Sequence, residues 1–188
     1  MTFQEFISSS CQMALSGVDA NQSQPLDMEM TAEALVPTIF QQVALSAAAD
    51  PDKQSLLRRT HTVTLTSGVG TLPGEVLTQR LNSATVIDPD DDTVAQDMSY
   101  IPQWFDFLEA KDYENRLGYW TVKGDDEIHY IRPTDTVETK NGDIDITVAS
   151  VPAIPATSGA TLVVPDEILS DLQAALANAL RAIRAKEA

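Results

Sequence analysis

A chain of 188 residues with 28 acidic and 12 basic side chains has a net charge of −16, and its scattered bases leave no basic footprint for nucleic acid. It is long enough to bury a sizeable core, its single Cys11 excludes an intrachain disulfide, and no apolar run approaches membrane-spanning length. The first Lys or Arg is Lys53, so a secretory signal with its positive leading region is not expected.

From Thr2 to Leu15, residues Phe3, Phe6, Ile7, Met13 and Ala14 recur at roughly helical spacing, and Ser16-Gly17 supplies a stop. A polar stretch follows, after which Val36, Ile39, Phe40, Val43 and Ala47 form the apolar stripe of a second helix over Met30 to Ala49. Pro37 marks its first turn or a kink. Asp50-Pro51 is a cap-and-start pair, which predicts a further short helix carrying Leu56 and Leu57.

At Thr60 the period changes. His61, Val63 and Leu65 alternate with Thr62, Thr64 and Thr66, and the run closes at Ser67-Gly68-Val69-Gly70, which predicts a strand and a turn. Glu75 to Leu81 is expected as a short helix or irregular segment with Val76, Leu77 and Leu81 inward, and Ala84 to Ile87 as strand. From Asp88 the composition turns to loop, and Tyr100 to Leu108 concentrates aromatics before an acidic stretch, Glu109 to Glu114.

Gly118 to Lys123 and Glu127 to Arg132 are β-prone runs around Gly124-Asp125-Asp126, a hairpin signal. Asp143 to Val148 alternates strictly, placing Ile144, Ile146 and Val148 on one face. The proline-containing segment Val151 to Thr157 is expected as an extended connection, and Ala160 to Val164 as a fourth β run. Pro165-Asp166 then opens a long amphipathic helix with Asp166 as its cap, whose stripe is Leu169, Leu172, Leu176, Ala179, Leu180 and Ile183.

These elements predict an α+β fold with a helical N-terminal layer, a small mostly antiparallel sheet and a long C-terminal amphipathic helix. A single domain is expected over residues 1–188, with a helical region at 1–59, a β-rich region at 60–164 that includes an acidic loop 88–114, and the helix 165–188.

No residue set specifies a reaction. Asp88, Asp90, Asp91 and Asp92 invite a calcium reading, but in that loop register Thr93 stands where glycine makes the turn and Ser99 where a bidentate Glu belongs. A solvated acidic loop is expected instead, with no metal and no cofactor. His61 and His129 each fall in a predicted strand, with no local nucleophile motif, so packing or surface roles are expected and no catalytic residue is assigned. Trp104 and Phe105 are either core or a partner-binding anchor. Arg181, Arg184 and Lys186 are helix-end charges that could also dock on an acidic partner.

Between Asp88 and Glu127 twelve acids face three bases, Lys111, Arg116 and Lys123, so this stretch is strongly anionic. Such a field repels DNA phosphate, which excludes a sequence reader and suits a wall past which DNA slides.

The helical N-terminal third, the strand His-Thr-Val-Thr-Leu-Thr followed by Leu72-Pro73-Gly74-Glu75-Val76-Leu77, the small sheet, and a terminal helix introduced by Val164-Pro165-Asp166-Glu167 together resemble the head–tail connector (adaptor, or tail tubular) proteins of tailed bacteriophages. The resemblance spans most of the chain through element order and short motifs. It implies a non-catalytic virion protein of the neck or tail, assembled in the host cytoplasm as a homo-oligomeric ring. Such a ring docks beneath the portal protein, contacts tail or neck proteins, and lets DNA pass without specific binding. On this reading Asp90, Asp91, Asp92, Asp125 and Asp126 face the channel or solvent, and no membrane is involved. The heavier β content and the acidic insertion Asp88 to Glu114 depart from the short-tailed-phage adaptors, which leaves another neck or tail ring open. An acidic interaction module without a ring is the alternative from a different class, and an enzyme or calcium-dependent binder rests on Asp88 to Asp92 and the two histidines alone.

Overall fold

The computed structural model describes residues 1–16, 27–89, 99–103, 106, 119–131 and 140–187. The fold is α+β, and the chain forms two compact units: a helical one from Met1–Leu57 with Val151–Ala188, and a β-rich one from Arg58–Ser150. The sequence-based partition drew one domain with a β-rich region at 60–164; residues 151–164 and the C-terminal helix belong instead to the helical unit.

In the helical unit α1 (Phe3–Leu15), α2 (Asp27–Ala49) and α4 (Asp166–Glu187) pack on one another, and α3 (Pro51–Gln54) continues into a 3-10 turn at Ser55–Leu57. Their buried stripes hold Phe6, Ile7 and Ala14 of α1, Ala32, Val36, Phe40 and Ala44 of α2, and Ile168, Leu172, Leu176 and Leu180 of α4. Phe6 meets Phe40 edge-on with ring centroids 5.8 Å apart. Met13, expected inward, is exposed, and Ile168 takes the fully buried place expected for Leu169. Pro37 sits well inside α2 instead of in a first turn; lacking an N–H, it cannot donate to the Glu33 carbonyl.

The start of α1 is held twice. Thr2 and Glu5 form a capping box: the Thr2 N–H donates to Glu5 Oε2 at 2.7 Å and the Glu5 N–H to Thr2 Oγ1 at 3.2 Å. The Phe3 and Gln4 N–H groups, which have no partner within the helix, donate to the carbonyls of Ala160 and Ser158, each at 2.9 Å. That arrangement corrects the fourth β run. Its backbone is spent on the helix end, and a lone Thr2–Thr161 bridge is the β pairing recorded there, because the partner chain turns helical at Phe3. Val163 is accordingly 72% exposed. A second correction is at Asp166, which is the first residue of α4 and not the cap before it; its charge still lies at the dipole's positive end. Asp50 does cap α3, accepting from the Asp52 N–H at 3.0 Å.

The β-rich unit has two small sheets instead of one. β1 (Arg58–Leu65), β7 (Gly142–Ala149) and β3 (Thr85–Ile87) are ordered β1-β7-β3, all antiparallel neighbours. β2 (Val69–Thr71), β6 (Glu127–Ile131), β5 (Tyr119–Lys123) and β4 (Ser99–Tyr100) are ordered β2-β6-β5-β4, with β4 parallel to β5. The β1–β7 register runs unbroken from Arg58 opposite Ala149 to Leu65 opposite Gly142. Ile144, Ile146 and Val148 are fully buried as the alternation predicts, packing with Val63, Leu65, Val86, Trp120 and Ile128. On the opposite face, side chains bond across the strands: Thr60 with Thr147 at 2.8 Å, Thr62 to Asp145 at 2.7 Å and Thr64 to Asp143 at 2.6 Å.

β1 turns into β2 through Ser67 (φ 52°) and Gly68 (φ 77°), the left-handed pair that a two-residue hairpin demands. Gly70 follows close against β1: a Cβ there would lie 2.7 Å from Val63 Cγ1 and 3.0 Å from the Thr64 carbonyl oxygen. Val76, Leu77 and Leu81 point inward as expected, with a 3-10 segment at Thr78–Ser83.

Candidate functional site

The β5–β6 hairpin places two of the predicted acids. Lys123 pairs with Glu127 across its mouth, Gly124 takes φ 69°, and Asp125 and Asp126 are exposed at the tip. The Asp126 carbonyl accepts the Leu72 N–H at 2.7 Å, which ties the tip to the end of β2. Glu127 Oε1 lies 2.6 Å from His129 Nε2 and 3.8 Å from Lys123 Nζ. The His129 hydrogen bond, with the charges of His129 and Lys123, holds the Glu127 carboxyl below its ordinary range. His129 is thus a surface-side strand histidine engaged by a carboxylate.

Asp90, Asp91, Asp92, Trp104 and Phe105 lie outside the described residues. Asp88, grouped with them as a solvated acid, is 1% exposed. Lys140 Nζ donates to its Oδ1, and Tyr130 OH to its Oδ2 at 3.3 Å. This corrects the expectation for Asp88: the alternating pattern of the acids gave no sign that a lysine more than fifty residues away would neutralise one of them inside the unit. Among the described residues no group of three or more His, Cys, Asp or Glu could hold a metal ion.

The basic residues at the end of α4 have different environments. Arg181 reaches back to α1, where its guanidinium donates to the carbonyls of Met13 and Ala14 and to Ser16 Oγ. It therefore satisfies the unpaired carbonyls at the C-terminus of α1, where a positive charge also opposes the helix dipole. Arg184 is half-buried and Lys186 exposed. Earlier in the unit Lys53 Nζ bonds Asp171 Oδ2 at 2.5 Å, an ion pair between α3 and α4 that raises the lysine's pKa, mainly through that hydrogen bond.

One constellation has the order of a nucleophile, a base and an orienting acid: Ser150 Oγ lies 2.8 Å from His61 Nε2, and His61 Nδ1 lies 4.0 Å from Glu75 Oε1. The three residues come from separate segments, so no local motif announces them. The one signal in the sequence is the alternation that puts His61 on the side of Val63 and Leu65. Ser150 has no exposed surface, and its Oγ also donates to the Val148 carbonyl at 3.3 Å. That oxygen is enclosed in this arrangement, so a substrate carbonyl has no direct approach to it.

No protein-family model matches the sequence, and no curated protein matches it. Among the described residues no helix is long and apolar enough to cross a membrane.

Proposed function

We propose that this chain is a structural subunit of a tailed-phage head–tail connector, a ring that docks under the portal protein and forms a section of the channel wall through which DNA leaves the capsid. The reading rests on the resemblance in element order. It is supported by one observation above others: the acids that can be placed at a surface stand on rigid supports. Asp125 and Asp126 cap a tied hairpin, and Asp143 and Asp145 are held by threonine hydroxyls on the open face of the three-stranded sheet. Fixed negative charge of this kind keeps a polyanion from adhering. The ring would be a head-to-tail assembly in which two different faces of each subunit meet. Arg181, Arg184 and Lys186, with Trp104 and Phe105, are the proposed portal or neck contacts. No catalytic step and no cofactor belong to this role, and its location is the virion neck or tail after assembly in the host cytoplasm.

Native mass spectrometry of the purified chain, alone and mixed with the portal protein of the same source, tests the reading. A fixed multiple of the chain on the portal is expected. A chain that neither joins the portal nor forms a ring would remove the connector reading in favour of a non-ring acidic interaction module, whereas a ring that ignores the portal would move it to another neck or tail position.

A further inference from the structure

Asp88, Lys140 and Tyr130 meet inside the β-rich unit, each placed by a neighbouring strand or by backbone hydrogen bonds. The Gly68 N–H donates to the Lys140 carbonyl and the Tyr130 N–H to the Gly68 carbonyl, each at 2.8 Å, so one turn residue holds both the lysine and the tyrosine. From the same turn the Ser67 N–H bonds Asn141 Oδ1 at 2.8 Å. Asp88 directly follows β3, which pairs with β7, and Lys140 stands two residues before β7 begins. Lys140 Nζ bonds Oδ1 of the carboxylate, and the Tyr130 hydroxyl donates to Oδ2 at 3.3 Å. The lysine and aspartate side chains are 3% and 0% exposed, and Tyr130 and Val86 of β3 belong to the apolar cluster of the unit. An amine is thus held against a carboxyl group with water shut out, which is the arrangement that favours condensation over hydrolysis.

We propose that Lys140 Nζ and Asp88 Cγ join as an amide, a covalent cross-link within the β-rich unit for which the ion pair is the precursor. A proton first passes along the hydrogen bond from the ammonium to Oδ1, giving an amine and a carboxylic acid, a form that leaves no charge in the enclosed site. The nitrogen lone pair then forms the bond to Cγ, and the carbonyl π electrons move onto Oδ2, where the Tyr130 hydroxyl meets the developing charge. A second nitrogen proton passes to the Oδ1 hydroxyl, the Cγ–Oδ1 bond breaks, and Oδ1 leaves as water while the carbonyl re-forms at Oδ2. The three ammonium hydrogens end as one amide N–H and two on the water, and one positive and one negative charge cancel. The step needs no oxidant, metal or cofactor.

The bond closes the chain between two residues 52 positions apart. Inside that closed segment lie β4, β5 and β6, three of the four strands of one sheet, together with the exposed tip at Asp125 and Asp126. A covalent tie of that reach removes conformations from the unfolded chain and keeps the segment anchored to the three-stranded sheet even when the hydrogen bonds between strands open. The cross-link rests on the interior of the β-rich unit and is independent of the connector reading.

Intact mass spectrometry of the full chain, folded at neutral pH and then denatured, tests the bond directly. The wild type is expected to weigh one water less than its sequence, and a chain at the full sequence mass overturns the proposal. Digestion of the denatured protein with trypsin places the loss: a branched peptide joining Asp88 to Lys140, uncut between Lys140 and Asn141, is expected, and ordinary cleavage there overturns the cross-link. The rival source of a lost water, succinimide closure at an aspartate, does not use the lysine. Lys140→Arg keeps the positive charge without a primary amine and is expected at its full mass, so a water loss that persists in this variant also overturns the proposal. Tyr130→Phe is expected to carry a smaller bonded fraction than wild type of the same age, and an equal fraction removes the tyrosine from the step.

Discussion

Lys140 donates to Asp88 inside the β-rich unit, where the lysine is 5% exposed and the aspartate 1%. Asp88 follows β3 and Lys140 leads into β7, and Tyr130 of β6 adds a hydroxyl to the same carboxylate, so the pair links elements of both sheets. Removing one partner takes a counterion away from a buried charge. Lys140→Met is expected to cost about 3–5 kcal/mol, whereas the double variant Asp88→Leu/Lys140→Met should lose less than the single one. Chemical unfolding of the three proteins measures both values; a double variant as unstable as the single would show that the pair's value lies in its geometry and not in cancelling charge.

Asp88 also bears on cations. With Lys140 on one oxygen and Tyr130 near the other, its carboxylate is not available to lead a calcium loop. Calorimetric titration with calcium is expected to give no specific binding heat, and a stoichiometric exotherm would restore the metal reading of the acidic run.

Leu176 of α4 has no exposed surface, being enclosed within the helical unit itself. Leu176→Asp is expected to destabilise that unit by about 3 kcal/mol or more, since it buries an unpaired carboxylate. Unchanged melting would mean that this face of α4 opens to another molecule.

Gly70 lies where a methyl group would press on Val63 and on the Thr64 carbonyl oxygen. The carbonyl is backbone and cannot swing aside, so Gly70→Ala should cost about 1–3 kcal/mol through overpacking. Gly74, which has nothing within 4 Å of such a methyl, is the control, and equal losses at both glycines would contradict the steric account.

The Glu5 carboxyl is held below its ordinary range, first by the Thr2 N–H and then by the Thr2 hydroxyl. A depressed carboxyl contributes stability that is present above its unfolded pKa and lost as pH falls through the folded one. Glu5→Gln should therefore melt below the wild type near neutral pH and converge with it on acidification, and a gap that persists under acid conditions would point to packing instead of charge.

Periodicity carried much of the fold. The alternation of Ile144, Ile146 and Val148, the four-residue spacing of Leu172, Leu176 and Leu180, and the Asp50-Pro51 start all describe local geometry, which a short window of sequence encodes. Ala160 to Val164 misled because β-prone residues form a strand only beside an open edge, and here the nearest backbone was a helix end in need of acceptors. Long-range polar pairing left no trace: Asp88 with Lys140, His61 with Ser150 and Arg181 with Met13 each join residues far apart in sequence. Of the acids expected to face the channel or solvent, Asp125 and Asp126 were legible because a turn between two β-prone runs must be at a surface.

The carbonyls of Ser158 and Ala160 that complete α1 belong to residues synthesised long after Phe3 and Gln4. The β-rich unit is continuous, Arg58–Ser150, and has all of its partners in hand before the helical unit does. During translation α1 thus waits for its acceptors until Ser158 and Ala160 emerge. A nascent chain stalled before Ser158 should already hold a protected β-rich unit and an α1 still open to proteases.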